Sequence, residues 1–211
     1  MDPARWTALW HRLGAQGDAL AVFTRLAAAY AEPTRAYHNA EHIEDCLTLL
    51  DASRGVAGQA DQIEAAIWFH DAVYVAARTD NEERSADLAR ASLREAQVPS
   101  ETAERVGALV LETRHGTIPQ DPDAALLCDI DLSIFGRSPE AFDLFERQIR
   151  QEYAMVPELM YRRGRSEILR GFLKRASIYQ TDWFRQRYEN RARANLERLL
   201  TKLGPSHRQQ T

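Results

Sequence analysis

Cysteine is scarce in this chain of 211 residues, and that scarcity limits its chemistry. Only Cys46 and Cys128 occur, and neither belongs to a CxxC pair. A disulfide framework and a thiolate zinc site are therefore both disfavoured. We expect two reduced thiols in apolar surroundings.

Long apolar runs and an excess of positive charge are missing as well. No stretch approaches the ~18 consecutive apolar residues of a membrane span. The N-terminus lacks the charged-then-apolar order of a signal peptide, and the net charge is −4. The sequence thus predicts a cytoplasmic protein with no membrane or nucleic-acid partner. It leaves open whether the chain is a monomer or a homodimer.

Strand alternation, hairpin signals and a fixed-period repeat are also lacking. Apolar residues instead recur with helical spacing. We expect helices near residues 37–51, 63–74, 139–155, 158–179 and 183–203, with another beginning at Ser100. Ser138 followed by Pro139 is typical of a helix start. The pattern predicts one all-α domain over residues 1–211.

Ionisable residues interrupt these apolar faces in three places, at residues 37–42, 66–74 and 128–132. His42 shares a helical row with Cys46 and Leu50, and His70 follows Ile63 by seven residues, so both imidazoles are expected to face inward. Burying such groups costs free energy, which a carbonyl or a helix cap could offset singly. A shared metal ion would offset it for all of them.

The candidate ligands are two imidazoles and two carboxylates, from His42, His70, Asp71 and Asp131. We prefer Asp131 because it shares a row with Leu127, and Asp129 remains the alternative. Such a mixed set suits Mn, Fe, Ni, Co or Zn, with Mg at a second site as an option. Four protein ligands on a six-coordinate ion leave two positions for water and substrate.

The ordered pattern H…HD…D on a helical chain resembles the HD superfamily of metal-dependent phosphohydrolases, over roughly residues 38–136. Residues 37–42 (YHNAEH) are similar to the YHNxxH element of cyclic nucleotide phosphodiesterases. Residues 80–86 (DNEERSA), 129–136 (DIDLSIFG) and 175–179 (RASIY) resemble a bacterial group of predicted HD phosphohydrolases. The resemblance implies an HD-domain helical bundle with its core at about 20–136 and a C-terminal helical extension at about 139–203.

The resemblance also implies roles for particular residues. His38 would protonate the leaving oxygen. Our hypothesis for the mechanism adds that Asp71 or Glu82 orients the nucleophile. Candidate substrate-binding residues are Tyr37, Asn39, Tyr74, Asn81, Ser85, His115, Arg163, Arg170 and Lys174. Several have plainer interpretations: a solvated helix start at residues 80–83, a cation at a helix C-terminus for His115, and a solvated basic face for the last three.

The implied activity is hydrolysis of a small phosphorylated molecule by metal-activated water. The substrate would be a phosphomonoester or phosphodiester, with nucleotides among the options. The chain lacks the further His and Asp positions of the second phosphodiesterase metal site, so a cyclic nucleotide is not implied. Two alternatives remain: an HD-fold di-iron oxygenase, and a non-catalytic module that senses a ligand.

Overall fold

The computed structural model describes residues 1–76 and 78–204, which contain ten α-helices and no strand. The all-α prediction is confirmed. The first seven helices are α1 (Pro3–Arg12), α2 (Ala19–Tyr30), α3 (Ala40–Ser53), α4 (Ala60–Phe69), α5 (Asn81–Glu95), α6 (Ser100–Glu112) and α7 (Pro122–Asp131). A 3₁₀ turn (Leu132–Gly136) leads to α8 (Pro139–Glu152), α9 (Glu158–Lys174) and α10 (Asp182–Leu203).

The chain divides into two compact units whose boundary falls between Asp131 and Leu132. The first unit includes α1, which packs against α2 and α4. The predicted bounds of the HD core, at about 20–136, and of the C-terminal extension, at about 139–203, stay predictions. The organisation of the whole chain as a single domain stays a prediction.

Side-chain caps explain where several helices begin. The Asn39 carboxamide accepts hydrogen bonds from the backbone N–H groups of Glu41 and His42, so α3 begins at Ala40 and not at residue 37. The Ser138 hydroxyl caps α8, whose first residue is Pro139 as expected. Because a cap satisfies N–H groups that lack a partner inside the helix, it fixes the helix start to within a residue.

Three helices end earlier than their apolar periodicity predicted. α4 ends at Phe69 instead of continuing to residue 74, α8 ends at Glu152, and α9 ends at Lys174 instead of near 179. After α9, the Glu189 carboxylate accepts hydrogen bonds from the N–H groups of Ile178 and Tyr179, which holds residues 175–179 outside any helix. The segment RASIY is thus held by side-chain bonds to the backbone.

Helix α4 lies at the centre of the first unit, where it contacts α1, α3, α5, α6 and α7. Its residues from Ile63 to Phe69 are all buried. The Trp6 ring of α1 lies 5.4 Å from that of Trp68 and 5.8 Å from that of Phe69, between ring centroids. This aromatic packing fixes α4 and therefore the position of the residue that follows it, His70.

Two buried carboxylates also anchor α4. Glu64 is 1% exposed and accepts hydrogen bonds from Arg5 and Arg12 of α1, each 2.8 Å long. Asp123 of α7 accepts from the N–H groups of Gly58 and Gln59 at 2.7 and 3.0 Å, directly before the helix begins. Each carboxylate links two elements of the first unit.

The second unit has an aromatic core built by Phe135, Phe142, Phe145 and Phe172. The Tyr179 hydroxyl donates a hydrogen bond of 3.0 Å to the carbonyl of Leu132. None of the helices in the described part of the chain is long and apolar enough to cross a membrane. Cys46 and Cys128 are buried thiols that form no disulfide, as expected.

Candidate metal centre

The candidate site is assembled from three helix ends in the first unit. His42 lies in the first turn of α3, His70 directly follows the last residue of α4, and Asp131 is the last residue of α7. Both histidines are buried, and the Asp131 side chain is 18% exposed. Helix ends suit this purpose because their side chains can converge on a point that no single helix could surround.

The donor atoms of these residues lie close together. The Nε2 atoms of His42 and His70 are 3.1 Å apart, and Oδ1 of Asp131 lies 3.1 Å from the first and 3.6 Å from the second. The three ligand atoms form a group within 4.8 Å of one another that could hold a metal ion. Of the two candidate last ligands, Asp131 belongs to this group, whereas Asp129 is a buried residue of the same helix.

Asp71 adds a second carboxylate to the histidine pair. Its Oδ2 lies 3.1 Å from Nε2 of His70 and 3.7 Å from Nε2 of His42. Successive residues of a helix point about 100° apart. Because α4 ends at Phe69, Asp71 lies in a turn. Its carboxylate can therefore approach the imidazole of His70, its neighbour in sequence.

The charges in this cluster support one another. Burial opposes ionisation of Asp71 and Asp131, but the surrounding imidazoles outweigh it and hold the pKa of each carboxyl well below its usual range. Burial likewise disfavours a charged His70, yet Asp71 and Asp131 raise its pKa well above the ordinary value. A position where two carboxylates stabilise an extra proton also favours a cation.

The ring orientation of His70 is compatible with metal binding. Its Nδ1 lies 2.9 Å from the carbonyl of Ile67, one turn back in α4. In the neutral tautomer that donates from Nδ1 to this carbonyl, the lone pair of Nε2 faces the cluster. Metal-binding histidines are commonly oriented in this way.

The residues present fit a transition-metal ion. Donor atoms bound at about 2.1 Å lie about 3.0 Å apart at a right angle and about 3.4 Å apart at the tetrahedral angle. The observed separations between the imidazole nitrogens and carboxylate oxygens run from 3.1 to 3.7 Å. Mixed nitrogen and oxygen donors favour Mn, Fe, Co, Ni or Zn over Ca.

Aromatic rings lie beside the histidine pair. The His38 ring stacks on Tyr74 with centroids 4.1 Å apart, and Tyr37 lies 4.8 Å from the His42 ring. Burial raises the pKa of the Tyr37 phenol well above its usual value, and the charges of Asp131 and Asp71 raise it further. At neutral pH the phenol thus keeps its proton beside the site.

Two more predicted residues lie near the cluster. His115 Nε2 is 2.8 Å from Oδ2 of Asp131, the oxygen that does not face the histidine pair. His115 lies three residues beyond the end of α6, with a positive φ of 54°. Burial raises the pKa of Glu82, and the nearby charge of Asp71 adds to the effect.

The remaining predicted residues have other contacts. Asn81 forms two hydrogen bonds of 3.1 Å with the backbone of Val75, and Ser85 bonds both backbone groups of Val73. Asn39 is the cap of α3. The basic residues Arg163, Arg170 and Lys174 lie on α9 in the second unit, where Arg163 pairs with Glu167 at 3.2 Å.

Sequence reasoning missed three buried charged residues, Arg35, Glu64 and Asp123. Glu64 interrupts the apolar face of α4 just as His70 does, so the same test could have found it. Arg35 is 6% exposed and bonds the backbone carbonyls of His38 and Ala72. It lies in a short segment between two helices, where no periodicity exists to indicate burial.

Comparisons with known proteins provide no relative. No protein-family model matches the chain, and no match was found among curated proteins or solved structures.

Proposed function

We propose that this chain is a metal-dependent phosphohydrolase that acts on a small phosphomonoester or phosphodiester, with nucleotides among the candidate substrates. The observation that carries the proposal is the convergence of His42, His70 and Asp131 from three helix ends, with Asp71 beside them and each carboxylate 3.1 to 3.7 Å from the imidazole nitrogens. The order of these residues resembles that of the HD superfamily, which supports the choice of reaction.

In this proposal the four residues hold one divalent transition-metal ion. When bound, such an ion acts as a Lewis acid that makes water more acidic and neutralises charge on a phosphoryl group. The carboxylates and imidazoles hold it with oxygen and nitrogen donors already close together, so little reorganisation of the chain is required.

The neighbouring residues supply proton transfer and orientation. His38, held against Tyr74, is our candidate for the group that protonates the leaving oxygen. Glu82, whose pKa is raised by burial, is one candidate for orienting the nucleophile. Asp71 is a second candidate for orienting the nucleophile.

The test combines metal analysis with a substrate screen. We expect the purified chain to bind about one Mn²⁺ or Co²⁺ and to release phosphate or alcohol from nucleoside monophosphates, p-nitrophenyl phosphate or bis-p-nitrophenyl phosphate. His42→Ala and Asp131→Asn should lose both properties. The matched control is His11→Ala, which removes an exposed imidazole from α1 and should keep both.

Three outcomes would contradict the proposal. Full metal content and full activity in His42→Ala would show that the site is elsewhere. Oxygen uptake with two irons per chain would indicate the oxygenase alternative. Tight binding of a phosphorylated compound without turnover would indicate a sensor.

A further inference from the structure

Arg35 connects two loops beside the candidate metal centre. Its side chain is buried, and its Nη1 donates hydrogen bonds to the carbonyls of Asp71 and His38 while Nη2 donates to that of Ala72 at 3.2 Å. The carbonyls of Asp71 and Ala72 belong to the loop after α4. The carbonyl of His38 belongs to the loop before α3.

The guanidinium is also enclosed from the sides. The rings of Tyr30 and Tyr74 lie over it, with centroids 5.4 and 5.7 Å from its central carbon. Glu32 accepts a hydrogen bond from Nε at 3.0 Å. A buried guanidinium loses hydration, and carbonyl dipoles together with aromatic faces replace it. The planar donor fork of arginine is the side chain that can bond several carbonyls at fixed angles.

Two α5 residues hold the same loop through other backbone groups. The Ser85 hydroxyl bonds Val73, and the Asn81 carboxamide bonds Val75. Arg35 bonds the residues just before these. The loop that carries Asp71 and Tyr74 is therefore held at residues 71, 72, 73 and 75, although it forms no helix or strand.

We infer that Arg35 is a positioning residue for the metal centre, an inference that rests on the proposed function. Its hydrogen bonds to the site all go to backbone carbonyls, so it acts by holding the loops and not on the reacting groups. By bonding the carbonyls of His38 and Asp71 at once, it fixes the proton donor and a metal ligand relative to each other. Neighbours that orient ligands typically change metal affinity by about 10- to 100-fold when removed.

The first experiment follows hydrogen exchange in the metal-free chain. In Arg35→Gln we expect the amides of Ala72, Val73 and Val75 to exchange about tenfold faster or more, because bonds to a charged donor are lost. Arg35→Lys should not restore protection, since an ammonium group lacks the fork. The matched control is Glu32→Gln, which leaves the guanidinium on its carbonyls and should exchange like the unmodified chain.

The second experiment titrates the same variants with Co²⁺ and records its absorption spectrum. Arg35→Gln and Arg35→Lys should bind Co²⁺ about tenfold more weakly or worse, with a changed spectrum. Loop exchange within twofold of Glu32→Gln would overturn the inference. Full recovery of loop protection and Co²⁺ affinity in Arg35→Lys would overturn it too. The same would follow if the buried amides of α6 exchanged faster by as much as those of the loop, because that would indicate general destabilisation.

Ser85→Ala keeps the inference testable if Arg35→Gln does not fold. It should speed exchange at Val73 and weaken Co²⁺ binding. An opened loop with unchanged Co²⁺ affinity would refute the positioning role. If the unmodified chain binds no metal at all, the proposed function fails, while the exchange experiment still reports whether Arg35 holds the loop.

Discussion

Glu64→Gln tests how a buried carboxylate supports the helix that carries the site. Glu64 is 1% exposed in α4, and it accepts hydrogen bonds from Arg5 and Arg12 at 2.8 Å each. Arg54 lies 3.8 Å away. Glutamine keeps the shape of the side chain but removes the negative charge and replaces one acceptor oxygen with a donor NH₂ group. One of the two arginines would then face the NH₂ group, which is a donor and cannot accept its hydrogen bond.

The expected loss of stability in Glu64→Gln depends on how deeply Glu64 and its two arginine partners are buried. Breaking a fully buried ion pair by changing one partner costs about 3–5 kcal/mol. Here Arg5 and Arg12 are 23% and 39% exposed, and each keeps a second carboxylate, Asp51 or Asp61. We therefore expect a loss of about 2–3 kcal/mol in the free energy of unfolding. For a chain of this length that corresponds to a fall of roughly 4–12 °C in melting temperature.

Urea unfolding followed by tryptophan fluorescence is a suitable assay, because Trp6, Trp10 and Trp68 all lie in the first unit. The control is Asp51→Asn, whose carboxylate is 53% exposed and also binds Arg5. An exposed pair contributes about 0–1 kcal/mol, so the control should lose little. A loss below about 0.5 kcal/mol in Glu64→Gln, or an equal loss in both variants, would refute the reasoning.

Three further predictions concern protons and loops. Burial lowers the pKa of His70, but Asp71 and Asp131 outweigh it and raise that pKa above its ordinary value. A metal ion must therefore displace a proton from His70, and the metal affinity should rise with pH until that pKa is passed. Calorimetry in buffers of different ionisation enthalpy would detect the proton release. Asn81→Ala should speed amide exchange at Val75 about tenfold, since its amide loses a hydrogen-bond acceptor. For Glu189, burial opposes ionisation, but backbone N–H groups outweigh it and lower the folded pKa. Its contribution to stability is therefore complete above the unfolded pKa of about 4.3 and is lost as pH falls through the folded value, so Glu189→Gln should flatten the acid limb of a stability curve.

Each of these predictions has a contradicting result. Metal binding at pH 6 without proton release would mean that His70 is already neutral. Unchanged exchange at Val75 would mean that another group holds its N–H. Parallel acid limbs for Glu189→Gln and the unmodified chain would mean that the carboxylate contributes no pH-dependent stability.

The sequence predicts the helices well because apolar spacing and caps determine them locally. Ser138 with Pro139 marks the start of α8 correctly, and the inward orientation of His42 and His70 follows from helical rows. The end of α4 was predicted wrongly. Residues 72–75 are as apolar as a buried helix, and their loop conformation depends on hydrogen bonds from α5 that no local pattern contains.

The candidate site could be predicted only in part, because its geometry depends on where helices end and on contacts between distant residues. His70 and Asp71 adjoin in sequence, yet their approach to one another depends on the helix ending between Phe69 and Asp71. Asp131 could not be separated from Asp129 by pattern, because α7 is buried on nearly every side. Contacts such as that of Arg35 with Asp71 join residues 36 positions apart and require the folded chain.

The left-handed backbone of His115 implies a conflict between stability and the site. A positive φ costs a non-glycine residue about 1 kcal/mol, and asparagine or glycine tolerates it better than most side chains. Selection for thermal robustness alone would favour such a replacement, since it relieves strain at a loop tip. Such a replacement would also remove the imidazole that lies 2.8 Å from Oδ2 of Asp131. Position 115 is therefore where we expect a library sorted for heat resistance to lose metal affinity.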